Sequence, residues 1–131
     1  MSENGLDALL LQWEETYKKG LLSFWMMLLM AHRPTYAYEM SGEIARLSQG
    51  TIMADDNSIY RALRRFQAAG LVESLTQPSE SGPPRRYFKL TAAGVELLRA
   101  FIQRNVLVFQ GGDVSAMIES VINEDEKGDN S

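Results

Sequence analysis

Cysteine is absent from the 131 residues, which excludes disulfides, thiolate metal sites and cysteine nucleophiles. Histidine occurs once, at His32, so no histidine cluster can form. It precedes Arg33-Pro34 at an expected helix end, where a cation near the last carbonyls is the ordinary arrangement. The longest apolar run, Leu21 to Ala31 (LLSFWMMLLMA), falls far short of the ~20 residues of a membrane span. The lysines before it mimic a signal peptide, but no small-x-small cleavage site follows and the run leads straight on into the domain. A cytoplasmic protein without a membrane partner is expected. Gly-rich phosphate loops, zinc-ligand spacings and nucleophile–base–acid sets are all missing, so neither an enzyme nor a bound metal or cofactor is expected.

Excess positive charge is also lacking. The formal net charge is −4, against a generic nucleic-acid binder, but the distribution matters more than the sum. Glu124, Asp125, Glu126 and Asp129 make the C-terminus acidic, and Glu3, Asp7, Glu14 and Glu15 do the same at the N-terminus. Between Arg33 and Thr91, eight basic residues stand against six acidic ones. The basic character is local to Arg61–Arg65 and to Arg85, Arg86 and Lys89.

Those two places belong to one stretch, DDNSIYRALRRFQAAGLVESLTQPSESGPPRRYFKL, residues 55–90. Asp55 or Asp56 supplies an N-cap, since a short carboxylate accepts from free amides of the first turn. Ile59, Ala62, Leu63 and Phe66 recur at helical spacing. At 100° per residue, Asn57, Arg61, Arg64 and Ala68 fall on the opposite face, with Ser58, Tyr60 and Arg65 at its edges. Gly70 ends the helix, because glycine takes the left-handed conformation cheaply. Leu71 to Leu75 is strand-like, the Pro/Ser/Gly-rich residues 77–84 form a turn, and Arg85 to Leu90 returns as a basic, aromatic strand. A helix followed by such a hairpin describes a winged helix: the helix suits a major groove, and the wing suits the backbone or minor groove. Arginine on one helix face alone is usually just a solvated face; a second basic element sharing the surface changes the balance. Arg61, Arg64 and Asn57 are assigned to base edges. Ser58, Tyr60, Arg65, Arg85, Arg86 and Lys89 are assigned to phosphates or the minor groove. Tyr36, at the start of an earlier helix, can donate to a phosphate or sit at the core edge.

The rest of the chain frames this stretch. Leu6, Leu9, Leu10, Trp13 and Tyr17 predict an amphipathic N-terminal helix. Leu21 to Ala31, apolar nearly all round, predicts a helix buried on all sides, in part by another subunit. Pro34 breaks it, and Tyr36, Met40, Ile44 and Leu47 form the stripe of the next helix. Thr91 caps a last major helix, along which Val95, Leu98, Ile102, Val106 and Phe109 run down one side. That surface is too apolar for a lone helix and reads as a dimer seam. A short helix follows with Val114, Met117, Ile118 and Val121. The expected organisation is a mainly α fold with a small β-hairpin wing: an N-terminal dimer-contact helix over 1–20, a winged helix-turn-helix over 21–93, dimerisation helices over 94–122 and a disordered acidic tail over 123–131. The homodimer contacts are assigned to Leu9, Trp13, Tyr17, Leu98, Phe101, Ile102, Val106, Phe109, Met117 and Val121.

Tyr38-Glu39-Met40, Ser58 to Leu63 (SIYRAL), Gly70-Leu71-Val72-Glu73, Gly82 to Thr91 (GPPRRYFKLT) and Gly94 together resemble the PadR family of bacterial winged-helix transcriptional regulators, over roughly residues 21–98. The resemblance implies a DNA-binding homodimer, in most cases a repressor, on double-stranded DNA. Two-fold symmetry implies a pseudo-palindromic operator with half-sites about 10 bp apart or a multiple of it. It also implies release by a small apolar ligand, for which Trp13, Tyr17, Met26, Met30, Phe101 and Phe109 are the lining candidates; as apolar residues at helical spacing they equally suit a plain dimer core. The chain departs from the family pattern at Ala37, where glycine is usual, at Asp55-Asp56-Asn57 before the second helix, and at Asn105, where some short members carry an aromatic. The alternative is a winged helix that serves as a protein-interaction module, as the acidic balance permits.

Overall fold

The computed structural model describes residues 3–129, with side chains over 5–124. Contacts divide it into two units, residues 1–95 and 96–131. In the first, α1 (Glu3–Lys18) and α2 (Leu21–His32) lead into a two-residue strand β1 (Thr35–Tyr36), α3 (Ala37–Leu47), α4 (Asp56–Ala68), β2 (Val72–Gln77) and β3 (Arg85–Leu90). The three strands form one antiparallel sheet in the order β1-β3-β2, a winged helix.

The core follows from apolar faces that meet. Ile59, Ala62, Leu63 and Phe66 of α4 turn inward against Met40 and Ile44 of α3, and all six are buried. Burial of each large side chain stabilises by about 1.5–3 kcal/mol. Met26, Met27, Leu29 and Met30 of α2 complete the core beside Val72, Phe88 and Leu90 of the sheet. α3 and β3 pack on α2, and Leu21, Leu22, Phe24, Trp25 and Leu28 remain half-buried.

The turn between α3 and α4 is set by local bonds. Gln49 and Gly50 take positive φ of 55° and 79°. Buried Ser48 accepts the Ile52 N–H at 3.0 Å and takes the Thr51 hydroxyl on its carbonyl at 2.7 Å. Asp55 then caps α4, accepting the Ser58 N–H at 2.7 Å.

Where β3 ends, Thr91 accepts the Gly94 N–H at 3.1 Å and donates to the Gly70 carbonyl at 2.7 Å. A Cβ on Gly94 would lie 2.1 Å from the Leu71 carbonyl oxygen, so only glycine fits there. The helix that follows, α5 (Ala92–Phe101), gives way to a π-helical turn over Ile102–Val106 and a 3-10 turn over Leu107–Phe109. The Asn105 side-chain amide donates to the Phe101 carbonyl at 3.2 Å, competing with the backbone for that acceptor, and the Leu107 N–H reaches back to Ile102. The single regular stripe expected from Val95 to Phe109 is broken at this point.

The last helix, α6 (Gly112–Asp129), begins with Gly112 at φ 60°. Its backbone continues through residues 123–129, where a disordered tail is expected from composition; extending an existing helix costs far less than nucleating one. Residues 130 and 131 of that expected tail lie outside the described residues. No helix among the described residues is long and apolar enough to cross a membrane.

Candidate nucleic-acid interface

Strand β1 is two residues long, yet it sets the geometry of this surface. Its pairing places Thr35 opposite Phe88 and Tyr36 opposite Tyr87. The start of α3 is therefore tied to the returning strand of the wing. Alternation along β3 sends Arg85 and Tyr87 to one face of the sheet and Arg86 and Phe88 to the other. The Arg85 guanidinium lies 4.8 Å from the centre of the Tyr36 ring, and the Arg86 guanidinium 5.2 Å from that of Phe88. Tyr36 stacks on Tyr38 at 6.3 Å and meets Tyr87 edge-on at 5.5 Å. Both arginines thus rest on aromatic faces, an attraction that limits their freedom.

A concavity of about 410 Å³ lies between the start of α3, the outer side of α4 and β3. Tyr36, Tyr38, Tyr60, Arg64, Arg85 and Arg86 are among its lining residues. The basic parts of helix and wing, 20 or more residues apart in sequence, therefore border one surface. Asn57, Arg61, Arg64 and Arg65 are exposed on α4, and the Arg61 guanidinium donates to the Ser58 hydroxyl at 3.3 Å.

Ion pairing divides the cations into two sets. Arg33 is held by Glu39 at 2.8 Å, Arg46 by Glu43 at 2.8 Å and Lys89 by its cross-strand neighbour Glu73 at 3.3 Å. Glu39 also accepts the Tyr36 N–H at 3.3 Å, which fixes the entry to α3. Arg61, Arg64, Arg65, Arg85 and Arg86 form no ion pair among the described residues. Their charge is available to an anionic partner. Asp55 stays ionised to lower pH than an ordinary aspartate, because the Ser58 backbone N–H and then its hydroxyl bond the carboxylate.

Of the residues assigned from sequence, the structure brings Tyr36, Tyr60, Arg64, Arg85 and Arg86 around the concavity, with Asn57, Ser58, Arg61 and Arg65 farther along α4. Lys89 is engaged within the sheet. Tyr38 and Gln67 line the concavity but were not singled out. Tyr38, 76% exposed, carries a signal in the sequence, since a tyrosine on the polar side of an amphipathic helix has no core to fill.

The other assigned residues fall in three settings. Leu9, Trp13 and Tyr17 are exposed on α1, where a shallow groove of about 280 Å³ is lined by Leu10, Trp13, Glu14 and Tyr17. Phe101, Phe109, Met117 and Val121 are exposed in the second unit, Ile102 and Val106 are half-buried and Leu98 is buried. Met26 and Met30 are withdrawn as effector-lining residues: they are 0% and 2% exposed within the winged-helix core.

The family model described as the transcriptional regulator PadR-like family matches residues 26–100. That span contains every residue assigned above to the nucleic-acid surface. Among solved structures, the chain is similar to a PadR-like transcriptional regulator from Bacillus cereus, at 27% identity and a TM-score of 0.65, over 82% of this chain and 96% of that one. It is similar to a PadR family regulator from Eggerthella lenta, at 23% identity and a TM-score of 0.66, over 88% and 96%. Bacillus subtilis PadR, solved in complex with operator DNA, matches at 14% identity and a TM-score of 0.60, over 79% of this chain and 59% of that one.

Proposed function

The chain belongs to the PadR-like family of transcriptional regulators, and we propose that it is a sequence-specific DNA-binding repressor that works as a homodimer. The observation that carries this reading is the surface shared by α4 and the wing. Three arginines, Arg64, Arg85 and Arg86, stand there without ion pairs among the described residues, beside Tyr36, Tyr38 and Tyr60, and Arg61 is exposed farther along α4. In this reading Asn57, Arg61 and Arg64 face base edges. Arg85 and Arg86, steadied on aromatic rings, hold phosphates or enter the minor groove. The depletion of charge elsewhere is then no objection, since the field that matters is local.

The homodimer is supported by the apolar side chains that α1 and the second unit leave uncovered: Leu9, Trp13 and Tyr17 in one, Phe101, Phe109, Met117 and Val121 in the other. Two-fold symmetry implies a pseudo-palindromic operator. Release by a flat apolar effector would draw on Trp13 and Tyr17, which already border a groove, and on the exposed rings of Phe101 and Phe109. Such an effector acts only if it binds DNA-competent and DNA-incompetent dimers unequally.

The test is selection of bound duplexes from a random pool at stated salt, followed by affinity against salt concentration. A steep fall of log affinity with log salt is expected from counterion release. Recovery of no consensus, with salt-insensitive binding, would favour a protein-interaction module instead.

A further inference from the structure

Arg85 and Arg86 are neighbours in sequence but are seated by different parts of the fold. Arg86 lies over Phe88, a buried ring of its own strand. Arg85 lies over Tyr36, a ring that β1 supplies from far earlier in the chain. The register explains this. Tyr36 stands opposite Tyr87, and Arg85, two residues from Tyr87 on the same face, is its diagonal neighbour across the strands.

The Tyr36 ring is itself held from several sides. Tyr87 meets it edge-on at 5.5 Å, and Tyr38 stacks on it with planes 10° apart. Its backbone N–H donates to Glu39, which in turn holds Arg33. Tyr36 is half-buried, whereas Arg85 is exposed. A long exposed arginine loses rotamer entropy when it docks on an anion, and holding it beforehand reduces that loss. A ring holds it without neutralising its charge. Lys89 shows the contrast, since its charge is tied to Glu73. Glu80 borders a wing-tip recess with Arg85 but forms no ion pair with it; without the ring, that carboxylate would be a competing seat.

We propose that Tyr36 is a positioning residue: its ring, not its hydroxyl, serves DNA binding, by aiming the Arg85 guanidinium at a phosphate. A third role thus replaces the two open to Tyr36 from sequence, phosphate donor and core edge. Because Tyr36 also leads directly into α3, the wing and the entry to the helix-turn-helix approach DNA as one piece. The inference rests on the DNA-binding reading, so one arm of its test needs no DNA.

In that arm, NMR of the full chain reads the Arg85 side-chain protons. Ring-current shielding should move them upfield in the parent and in Tyr36→Phe, and should vanish in Tyr36→Leu while Arg86 keeps its shifts. Unshielded Arg85 protons in the parent, or shielding that survives Tyr36→Leu, would overturn the seat. The second arm measures affinity for a selected operator against salt. Arg85→Ala should flatten the dependence of log affinity on log salt by about one phosphate per subunit. Tyr36→Leu should flatten it too and weaken binding about two- to fivefold, the scale of an exposed cation–π contact. Tyr36→Phe should rescue both, and adding Tyr36→Leu to Arg85→Ala should cost nothing more. A merely structural role for Tyr36 would lower affinity and melting temperature but leave the slope, and additive losses in the double variant would likewise overturn the proposal. Should Tyr36→Leu not fold, Tyr36→Phe still decides: a flattened slope there would make the hydroxyl the phosphate ligand. Selection that yields no consensus, with salt-insensitive binding, would sink the DNA-binding reading and this role with it, while the shielding still reports whether Arg85 sits on the ring.

Discussion

The winged-helix unit and the residues after it are built on opposite terms. In the first, apolar faces of α2, α3, α4 and the sheet close on one another, and Met26, Met40, Ile44, Ile59 and Leu63 are lost to solvent. In the second, Leu98 is the one large apolar side chain buried among the described residues, while Leu97, Phe101, Leu107, Val108, Phe109, Met117, Val121 and Ile122 stay exposed. The two stretches have similar apolar patterning at helical spacing, and periodicity does not tell them apart. The first has enough elements to cover its own stripes. The second has one interrupted helix and one regular one, too few to enclose a core. The homodimer proposed above rests on this uncovered surface.

The contrast can be broken from either side. Leu63→Ala, at the centre of the closed core, should lower unfolding free energy by about 2–5 kcal/mol, since transfer and cavity terms add; chemical denaturation measures it. Met117→Glu should do the reverse: the protomer keeps its secondary structure by circular dichroism, while the proposed dimer loses on the order of 3 kcal/mol by burying a charge. Sedimentation showing an undisturbed dimer would remove α6 from the seam.

Gly94→Ala probes the junction of the first unit with its outgoing helix. The new methyl meets backbone, the Leu71 carbonyl oxygen, which cannot swing aside as a side chain would. A loss of about 1–3 kcal/mol is expected, the scale of overpacking, and a melting curve like that of the parent would contradict the geometry. Arg64→Ala should leave stability alone but cost about 1–3 kcal/mol in operator binding, with relaxed preference at one position, as read by titration against a selected site and its variants.

The smallest effect concerns Asp55. Its carboxyl is held below the usual range by the Ser58 bonds. The stability it contributes is thus complete above the pH where an unfolded aspartate titrates, about 4. It is lost as pH falls through the depressed native value. Asp55→Asn should flatten the acid limb of melting temperature against pH, and an unaltered limb would show that the cap's charge is immaterial.

Much of the winged helix was legible in the sequence because its signals are local. Asp55 caps α4, Gly70 ends it at φ 76°, and β3 spans Arg85–Leu90; each depends on residues within a turn or a strand of one another. The PadR resemblance, carried by SIYRAL and GPPRRYFKLT, is matched by the family model over residues 26–100. The π-helical turn was not legible, since Ile102 to Val106 reads as ordinary helix until the Asn105 amide is seen on the Phe101 carbonyl. Nor was the helical continuation of α6 past Asn123, where composition alone favours a solvated coil.

What the sequence by itself determined was the kind of each element and the residue types it offers: arginines on one face of α4, a basic wing, an all-apolar α2. What only the tertiary structure decided was which of these meet. Two residues of β1 pair with β3 and bring Tyr36 beneath Arg85, and α3 and β3 enclose Met26 and Met30 that the sequence left open to a partner. The physical reason is that caps, turns and periodicity act between near neighbours in the chain, whereas burial and surface charge belong to several faces at once. No single stretch contains them.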